Sequence, residues 1–221
     1  MISHAHRAIF FHIPKTAGTS IEQKLGLFEA PTRGAQDHRS LREIRPLSLL
    51  RHWRQLFMVP PGRGYRMLRE MFGLAVRPGP HGPRASREEF ATYYKFTVVR
   101  NPWARVYSWY RNLMRDSLLG VPPCDFATFL RKHVNEWAVR PQTYWITDFD
   151  GSIPLERIVR FENLIDEMRE VLADLGFHDR TLPHFLQAEG GADYRAAYSD
   201  TLAKLIAERY RDEIQMFQYD F

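Results

Sequence analysis

The strongest constraint on the fold lies near the start of the chain, where a short apolar run meets a polar loop. Residues Ala8–Phe11 are apolar, and the segment 12–20 (HIPKTAGTS) follows directly. Apolar residues return at helical spacing with Ile21 and Leu25. The pattern predicts a strand, a phosphate-binding loop and a helix, because such a junction directs backbone N–H groups and a positive helix end toward an anion.

The side chains of this loop also suit an anion. Lys15 supplies a full positive charge, and Thr16, Thr19 and Ser20 supply hydroxyl donors. The loop does not follow the G-x-x-x-x-G-K-[ST] pattern of the common nucleotide-binding P-loop, because the lysine precedes Gly18, the only glycine in the segment.

A second anion site is predicted where the next apolar run ends. Residues 94–99 have the pattern of a strand, Arg100 follows, and Asn101 with Pro102 has the residue types that begin a helix. Arg100 could clamp a phosphate by a bidentate contact, and Ser108, about two turns along the helix, could add a hydroxyl. The alternative is that Arg100 caps a carbonyl group or pairs with an acid, while Ser108 is a surface hydroxyl.

The remaining periodicity predicts an α/β fold. A short strand is expected at 158–161, a helix at 164–175, and one further helix from about residue 200 toward 217. Strands that alternate with helices favour a mostly parallel sheet with helices on both faces. At 221 residues the chain is expected to form a single domain, residues 1–221.

Charge is distributed unevenly along the chain. Residues 39–87 contain eleven arginines, no lysine and two glutamates, whereas residues 150–221 contain fifteen acidic and eight basic residues. Pro, Gly and Arg are frequent in 58–83, which predicts loops, and we interpret 40–92 as an insertion or lid within the domain. A basic segment of this kind suits a polyanionic ligand or a membrane surface, or is simply a solvated insertion.

Compartment signals are few. Cys124 is the only cysteine, so no internal disulfide forms, which fits a reducing compartment. The first residues lack the basic and long apolar stretches of a signal peptide, and no window approaches the roughly 20 apolar residues of a membrane span. A cytoplasmic location is therefore predicted.

The two anion segments together resemble a known family. Segments 12–20 and 99–110 resemble the phosphosulfate loop and the 3′-phosphate motif of sulfotransferases that use 3′-phosphoadenosine 5′-phosphosulfate (PAPS). The likeness is greatest to the carbohydrate branch that includes the uronosyl 2-O-sulfotransferases and small bacterial relatives. It extends along the chain except for roughly 45–92. Weaker matches occur at 37–40, 160–164, 182–184 and 207–217.

The resemblance implies a P-loop-like, three-layer fold without a metal, and transfer of a sulfuryl group from PAPS to a hydroxyl of a carbohydrate or other glycan. By that likeness Arg100 and Ser108 would hold the 3′-phosphate. The arginine-rich segment has no counterpart in the family pattern and would suit an acidic glycan or an anionic lipid head group. The residues implied to hold the 5′-phosphosulfate are Lys15, Thr16, Ala17, Gly18, Thr19 and Ser20.

Sulfuryl transfer requires charge neutralisation on the leaving group and removal of a proton from the acceptor. Lys15 is placed to neutralise the bridging oxygen. For the base we choose His38, since imidazole has a pKa near 7 and the likeness puts the family's base in a histidine-containing segment there. A surface histidine is the alternative reading. Glu22 and Glu43 are reserve bases, and His12, at a strand end, is expected to satisfy backbone groups.

Further side chains are candidates for the acceptor cleft. Arg160 and Glu162 are expected to form a structural ion pair or a wall of the cleft. Trp109, which is off the apolar stripe of its helix, could line a ligand pocket, and His184 is a weaker candidate. Three residues of a loop-like stretch could contact the acceptor, or the stretch is simply a packed loop; they are Arg140, Gln142 and Tyr144.

Two other function classes remain open from the sequence. A Mg²⁺-dependent P-loop kinase would need a metal-binding hydroxyl, for which Thr16 could serve, but the second strand ends in Arg100 rather than in an acid. A non-catalytic basic module could bind nucleic acid or a membrane. Nucleic acid is not an expected partner, because the aromatic residues do not alternate with the basic ones as a stacking surface requires.

Overall fold

A four-stranded sheet lies at the centre of the fold in the computed structural model, which describes residues 1–30, 34–46, 84–116, 122–183 and 193–221. The strands lie in the order β1-β2-β3-β4. The first pair is antiparallel, and the two other pairs are parallel. The strands are β1 Ile2–Ser3, β2 Ala8–Phe11, β3 Tyr94–Val99 and β4 Arg157–Arg160.

Nine α-helices occur in the described ranges, with three short 3₁₀ turns at Trp137–Val139, Phe161–Asn163 and Tyr194–Ala197. The helices, numbered within those ranges, are α1 Gly18–Lys24, α2 Leu41–Ile44, α3 Arg87–Thr92, α4 Pro102–Asp116, α5 Phe126–His133, α6 Thr143–Ile146, α7 Leu164–Asp174, α8 Asp200–Arg209 and α9 Arg211–Phe217.

Side chains that alternate along the strands divide the core into two apolar layers. Ile9 and Phe11 of β2 face a cluster built mainly from α4, α5 and the C-terminal helices, whereas Phe10 faces a cluster that includes Ile21 of α1 and Val171 of α7. Successive strand residues point to opposite faces, so a strand that is buried on both sides needs apolar residues throughout. The predicted α/β class, with a mostly parallel sheet between helical layers, is confirmed.

The strand register brings the two predicted anion segments to one edge of the sheet. Phe11, the last residue of β2, pairs with Thr97, and Val99 at the end of β3 pairs with Arg160. Because these strands are parallel, the loop after β2 and Arg100 after β3 both leave the sheet at its carboxyl edge, where open α/β sheets bind ligands.

The C-terminal helix prediction is wrong in one respect. The chain forms two helices, α8 and α9, and the break falls at Tyr210, whose φ and ψ are −110° and 23°. Tyr210 is buried and its hydroxyl donates a hydrogen bond to the carbonyl of Val139. The apolar periodicity continues through the break, so the sequence pattern does not indicate it.

The predicted insertion 40–92 lies mostly outside the described residues, as does His184. Its two ends are described and lie side by side: the N–H of Ala85 donates to the carbonyl of Ile44 at 2.8 Å. Arg84 donates to the carbonyls of Arg42 and Arg45, both at 3.0 Å. The insertion stays a prediction. In the part of the chain that can be described, no helix is both long and apolar enough to cross a membrane.

Candidate functional site

The loop after β2 has an unusual backbone. Lys15 and Ala17 both adopt positive φ, at 70° and 65°, although neither is glycine. Such conformations cost of the order of 1–3 kcal/mol each and concentrate at functional sites. The hydroxyl of Thr16 points inward and donates to the carbonyl of Ile13 at 2.8 Å. Thr16 can therefore offer an anion its backbone N–H, while its side chain stabilises the turn.

Four consecutive backbone N–H groups of this loop have no acceptor among the described residues. They belong to Thr16, Ala17, Gly18 and Thr19, whereas the N–H of Ser20 is bonded to the carbonyl of Ala17 at 3.1 Å. The side chains of Thr19 and Ser20 are half-buried. Consecutive unbonded N–H groups in a turned backbone form an anion-binding concavity.

Arg100 faces this loop. Its Nη1 donates to the carbonyl of Lys15 at 3.1 Å, so the carbonyl contact that was the alternative prediction does form, and it forms at the predicted anion loop. The guanidinium lies over the ring of Phe161, 4.1 Å from the centroid. It forms no ion pair with any described acid, and its Nε is buried without an acceptor among the described residues. Burial lowers the pKa of Arg100 to about 10, so the guanidinium is still charged at neutral pH.

A buried amide fixes the backbone of Arg100. Gln142 Oε1 accepts the N–H of Arg100, and Gln142 Nε2 donates to its carbonyl, both at 2.8 Å. Glu213 of α9 accepts hydrogen bonds from both the side-chain Nε2 and the backbone N–H of Gln142. Gln142 is completely buried. The expectation that it contacts the acceptor is therefore wrong, because its polar atoms are used in supporting Arg100.

Helix α4 contributes one face to the loop. The Nζ of Lys15 donates to Oδ1 of Asn112 at 3.3 Å. Ser108 is four residues earlier, so it lies one turn away on the same helix face, and it is half-buried. Ser108 therefore lies on the same side of α4 as Asn112, which contacts Lys15 of the loop. Asn112 was not expected from the sequence, since an amide on a helix carries no local signal of its contact.

His38 lies behind the loop. Its Nδ1 is 3.1 Å from the carbonyl oxygen of His12, and the two imidazole centroids are 4.0 Å apart. A carbonyl oxygen only accepts, so Nδ1 carries a proton. Burial lowers the pKa of His38 well below its usual value, as does the neighbouring His12. The ring is therefore neutral at pH 7 and has its lone pair on Nε2.

The reserve bases have structural partners. Glu43 accepts from the N–H and the hydroxyl of Ser40 at 2.7 and 2.8 Å, which completes the capping box of α2. Glu22 is completely buried beside His12. Both glutamates therefore have structural roles, which leaves His38 as the candidate base whose Nε2 can accept a proton.

A chain of contacts connects His38 with the far side of the loop. The His38 ring lies 5.2 Å from that of Trp137, which lies 6.3 Å from that of Trp109 on α4, three residues from Asn112. Trp137 is 40% exposed. Trp109 is only 8% exposed and its Nε1 donates to Glu136, so the expectation that it lines a pocket is wrong. The open aromatic surface beside His38 is Trp137.

Two arginines lie against Tyr144, the residue before Trp145. The guanidinium groups of Arg42 and Arg140 lie 5.1 and 4.7 Å from the ring centroid of Tyr144. Tyr144 in turn contacts Trp145, whose ring is 5.9 Å from that of Trp137. The basic groups and the exposed tryptophan are therefore linked through the rings of Tyr144 and Trp145, of which Trp145 is buried.

The expected ion pair between Arg160 and Glu162 does not form. Arg160 donates to the carbonyl of Phe217 and lies over Tyr219, while Glu162 accepts from the N–H of Asn101 at 2.7 Å. Both residues instead anchor the C-terminal segment near Arg100. Among the described residues, no group of three or more His, Cys, Asp or Glu side chains is arranged to hold a metal ion.

The arrangement brings a lysine, free N–H groups, an arginine with an orphaned N–H and a neutral histidine to one edge of the sheet. A family model described as "Sulfotransferase family" matches residues 1–220. Among solved structures the chain is similar to a sulfotransferase from Alicyclobacillus acidocaldarius, with 18% identity, 97% of each chain covered and a TM-score of 0.46. No curated protein matches. With its family match spanning nearly every residue, the chain belongs to the sulfotransferase family.

Proposed function

We propose that this protein transfers a sulfuryl group from PAPS to a hydroxyl of a carbohydrate acceptor, as in the uronosyl 2-O-sulfotransferase branch. The observation that carries the proposal is the hydrogen bond from Arg100 to the carbonyl of Lys15. It puts a guanidinium from the second strand end directly at the loop after the first. A nucleotide with phosphates at both ends needs two neighbouring cationic sites of this kind.

The residues present fit such a donor. The unbonded N–H groups of the loop and the buried Nε of Arg100 are donors that lack acceptors among the described residues. Buried donors are normally satisfied, so an anionic ligand accounts for them. Lys15 and residues 16–20 would hold the 5′-phosphosulfate, and Arg100 with Ser108 would hold the 3′-phosphate.

When bound, PAPS supplies the sulfuryl group and adenosine 3′,5′-bisphosphate as the leaving group. Lys15 neutralises the negative charge that develops at the leaving phosphate. His38 accepts the proton of the acceptor hydroxyl on Nε2, which makes that oxygen nucleophilic. The inward hydroxyl of Thr16 does not favour the magnesium-kinase alternative, because it is buried and donates within the loop.

The surface beside His38 supports an acidic carbohydrate as the acceptor. The exposed ring of Trp137 offers a flat apolar face of the kind on which the C–H face of a sugar can stack. Arg42 and Arg140, which lie against the ring of Tyr144, carry charge that complements a carboxylate or sulfate.

Calorimetry with adenosine 3′,5′-bisphosphate tests the donor assignment. The wild type is expected to bind, and Lys15→Ala and Arg100→Ala are each expected to lose about 10- to 150-fold in affinity, as for removal of one charged hydrogen bond worth about 1.5–3 kcal/mol. Arg131→Ala, on the exposed face of α5, is the matched control and should bind as the wild type does. A folded wild type that does not bind this nucleotide would contradict the proposal.

A transfer assay with labelled PAPS tests the acceptor. Acidic glycans are expected to be sulfated with a lower KM than neutral glycans of the same length. Arg140→Ala should reduce that preference while leaving nucleotide affinity unchanged. Equal turnover of neutral and acidic acceptors by the wild type would contradict the acidic class but not the donor.

A further inference from the structure

Behind His38 lies a buried pair of titratable side chains that the proposed chemistry does not use. Glu22 of α1 is 0% exposed, and His12 at the end of β2 is 3% exposed. His12 Nδ1 is 3.0 Å from Glu22 Oε1, which is an ion-pair distance, although the ring is not aligned for a linear hydrogen bond. Glu22 Oε2 has no partner among the described residues. A buried carboxyl group with an oxygen that has no hydrogen-bond partner among the described residues is costly, so its presence calls for an explanation.

The pair contacts the base candidate His38, the anion loop at Gly18 and the residue before His38. The carbonyl of His12 accepts from His38, and the two rings are in contact. The His12 ring also lies against Gly18, because a Cβ at that glycine would come within 2.0 Å of His12 Cδ2. Glu22 Oε1 accepts the N–H of Asp37, the residue before His38, at 3.0 Å. His12 and Glu22 therefore contact both the loop and the segment that carries the base.

We propose that Glu22 acts through His12 as a positioning residue that holds the His38 imidazole with its proton on Nδ1 and its lone pair on Nε2, where it can accept a proton. The inference rests on the proposed function. Glu22 fixes the His12 ring, and with it the strand end whose carbonyl selects the tautomer of His38. It also fixes the backbone of Asp37. Tautomer and position are what a general base needs besides a suitable pKa.

The tautomer can be measured without any turnover. In the protein labelled with ¹⁵N-histidine, His38 of the wild type is expected to show a protonated Nδ1 and an unprotonated Nε2. The spectrum of His38→Gln assigns its signals among the nine histidines. In Glu22→Gln, which removes the charge and keeps the shape, both tautomers are expected. A wild-type His38 with its proton on Nε2 would overturn the proposal with no variant needed.

Kinetics separates positioning from a merely structural role. Glu22→Gln is expected to lose about 10- to 100-fold in kcat, as when an outer partner that orients a functional histidine is removed. Its affinity for adenosine 3′,5′-bisphosphate should stay within about twofold of the wild type, because a defect in proton removal lowers the rate of the chemical step and not the binding of the nucleotide. Glu22→Asp, which retains the carboxylate, should recover part of the rate.

Glu89→Gln is the matched control, because the same substitution in the exposed capping box of α3 leaves the site untouched. It should have the kcat and the His38 signals of the wild type. Wild-type kcat and unchanged His38 signals in Glu22→Gln would overturn the proposal. Failure of the wild type to bind the nucleotide would instead overturn the donor assignment, and the tautomer of His38 would still be readable.

Discussion

At the scale of the residue, the loop requires a glycine at position 18 because a side chain there would collide with a neighbour, not because the backbone needs a positive φ. Gly18 is the point where the buried imidazole of His12 lies against the backbone. Lys15 and Ala17, which do carry side chains, are the residues with left-handed conformations. The strained residues therefore belong to the turn whose N–H groups are proposed to bind the anion. The glycine lies where the His12 ring approaches the backbone.

Gly18→Ala is expected to displace His12 or the loop. Its methyl group would meet His12 atoms at 2.0–2.5 Å, and overpacking of this kind costs about 1–3 kcal/mol. We expect weaker binding of adenosine 3′,5′-bisphosphate by calorimetry and a lower free energy of unfolding in urea. Gly176→Ala is the control: its φ is +78° but nothing lies within 4 Å, so it should lose stability without losing affinity. Equal affinity in both variants would contradict the expectation.

The proposed base, His38, determines the pH dependence that we expect of the reaction. Its pKa lies below the usual 6.5, because burial and His12 disfavour the charged ring; Asp37, which favours it, and the Met1 amine, which disfavours it, also face the ring. The active form is neutral, so activity should persist as the pH falls to 6.5 and decline only below it. The pH profile of kcat/KM measures this. His38→Ala should remove that acidic limb and lower kcat by about 10²- to 10⁴-fold. Near wild-type turnover in His38→Ala would eliminate it as the base.

At the scale of the element, the junction between β3 and α4 positions the second anion site. Asn101 Oδ1 accepts from the N–H groups of Trp103 and Ala104 at 3.1 and 3.2 Å, and its Nδ2 donates to the carbonyl of Asp220 at 2.7 Å. One side chain therefore begins the helix and attaches the chain terminus to it. Arg100 is the residue before, so its direction depends on this cap.

Asn101→Ala is expected to lower both stability and nucleotide affinity. Loss of a helix N-cap costs about 0.5–2 kcal/mol, and here the cap is adjacent to Arg100. Asp125→Ala is the matched control, since Asp125 caps α5 through the N–H of Thr128 at 2.7 Å. Its thermal midpoint should fall similarly while its affinity for adenosine 3′,5′-bisphosphate stays that of the wild type. Unchanged affinity in Asn101→Ala would show that the cap does not orient Arg100.

At the scale of the whole molecule, contacts between distant segments hold the site together. Arg45, within the arginine-rich segment, forms a buried ion pair with Asp148, more than a hundred residues away. Gln142 and Glu213 likewise connect Arg100 with the C-terminal helix. Arg45 is thereby fixed to the part of the chain that follows α6.

Removal of one member of the Arg45–Asp148 pair should be strongly destabilising. Asp148→Ala leaves a buried guanidinium without its carboxylate, which costs about 3–5 kcal/mol. The double variant Arg45→Met with Asp148→Leu should recover most of that loss, because both desolvation penalties disappear. Urea unfolding of the single and double variants gives the coupling free energy. Additive effects would show that the two side chains do not act as a pair.

The local sequence was sufficient to predict the elements around the site. The run Ala8–Phe11, the loop 12–20 and the Asn101-Pro102 helix start are local signals, because strand burial, turn chemistry and helix capping act over a few residues. The order of these signals, together with the family likeness, gave the α/β class. The C-terminal segment was predicted as one helix, but it forms two. The residue at the break, Tyr210, makes its hydrogen bond with a carbonyl far away along the chain, which no local pattern indicates.

Tertiary structure alone decided which side chains support the site and which contact a ligand. Gln142 supports the backbone of Arg100, and Trp109 is buried in the core. Trp137 is the exposed aromatic residue beside His38. The sequence does not indicate these roles, because they depend on partners far away along the chain. The sequence predicted two anion-binding segments. Only the parallel strand register determined that they face one another, since the distance between two strand ends is a property of the folded sheet.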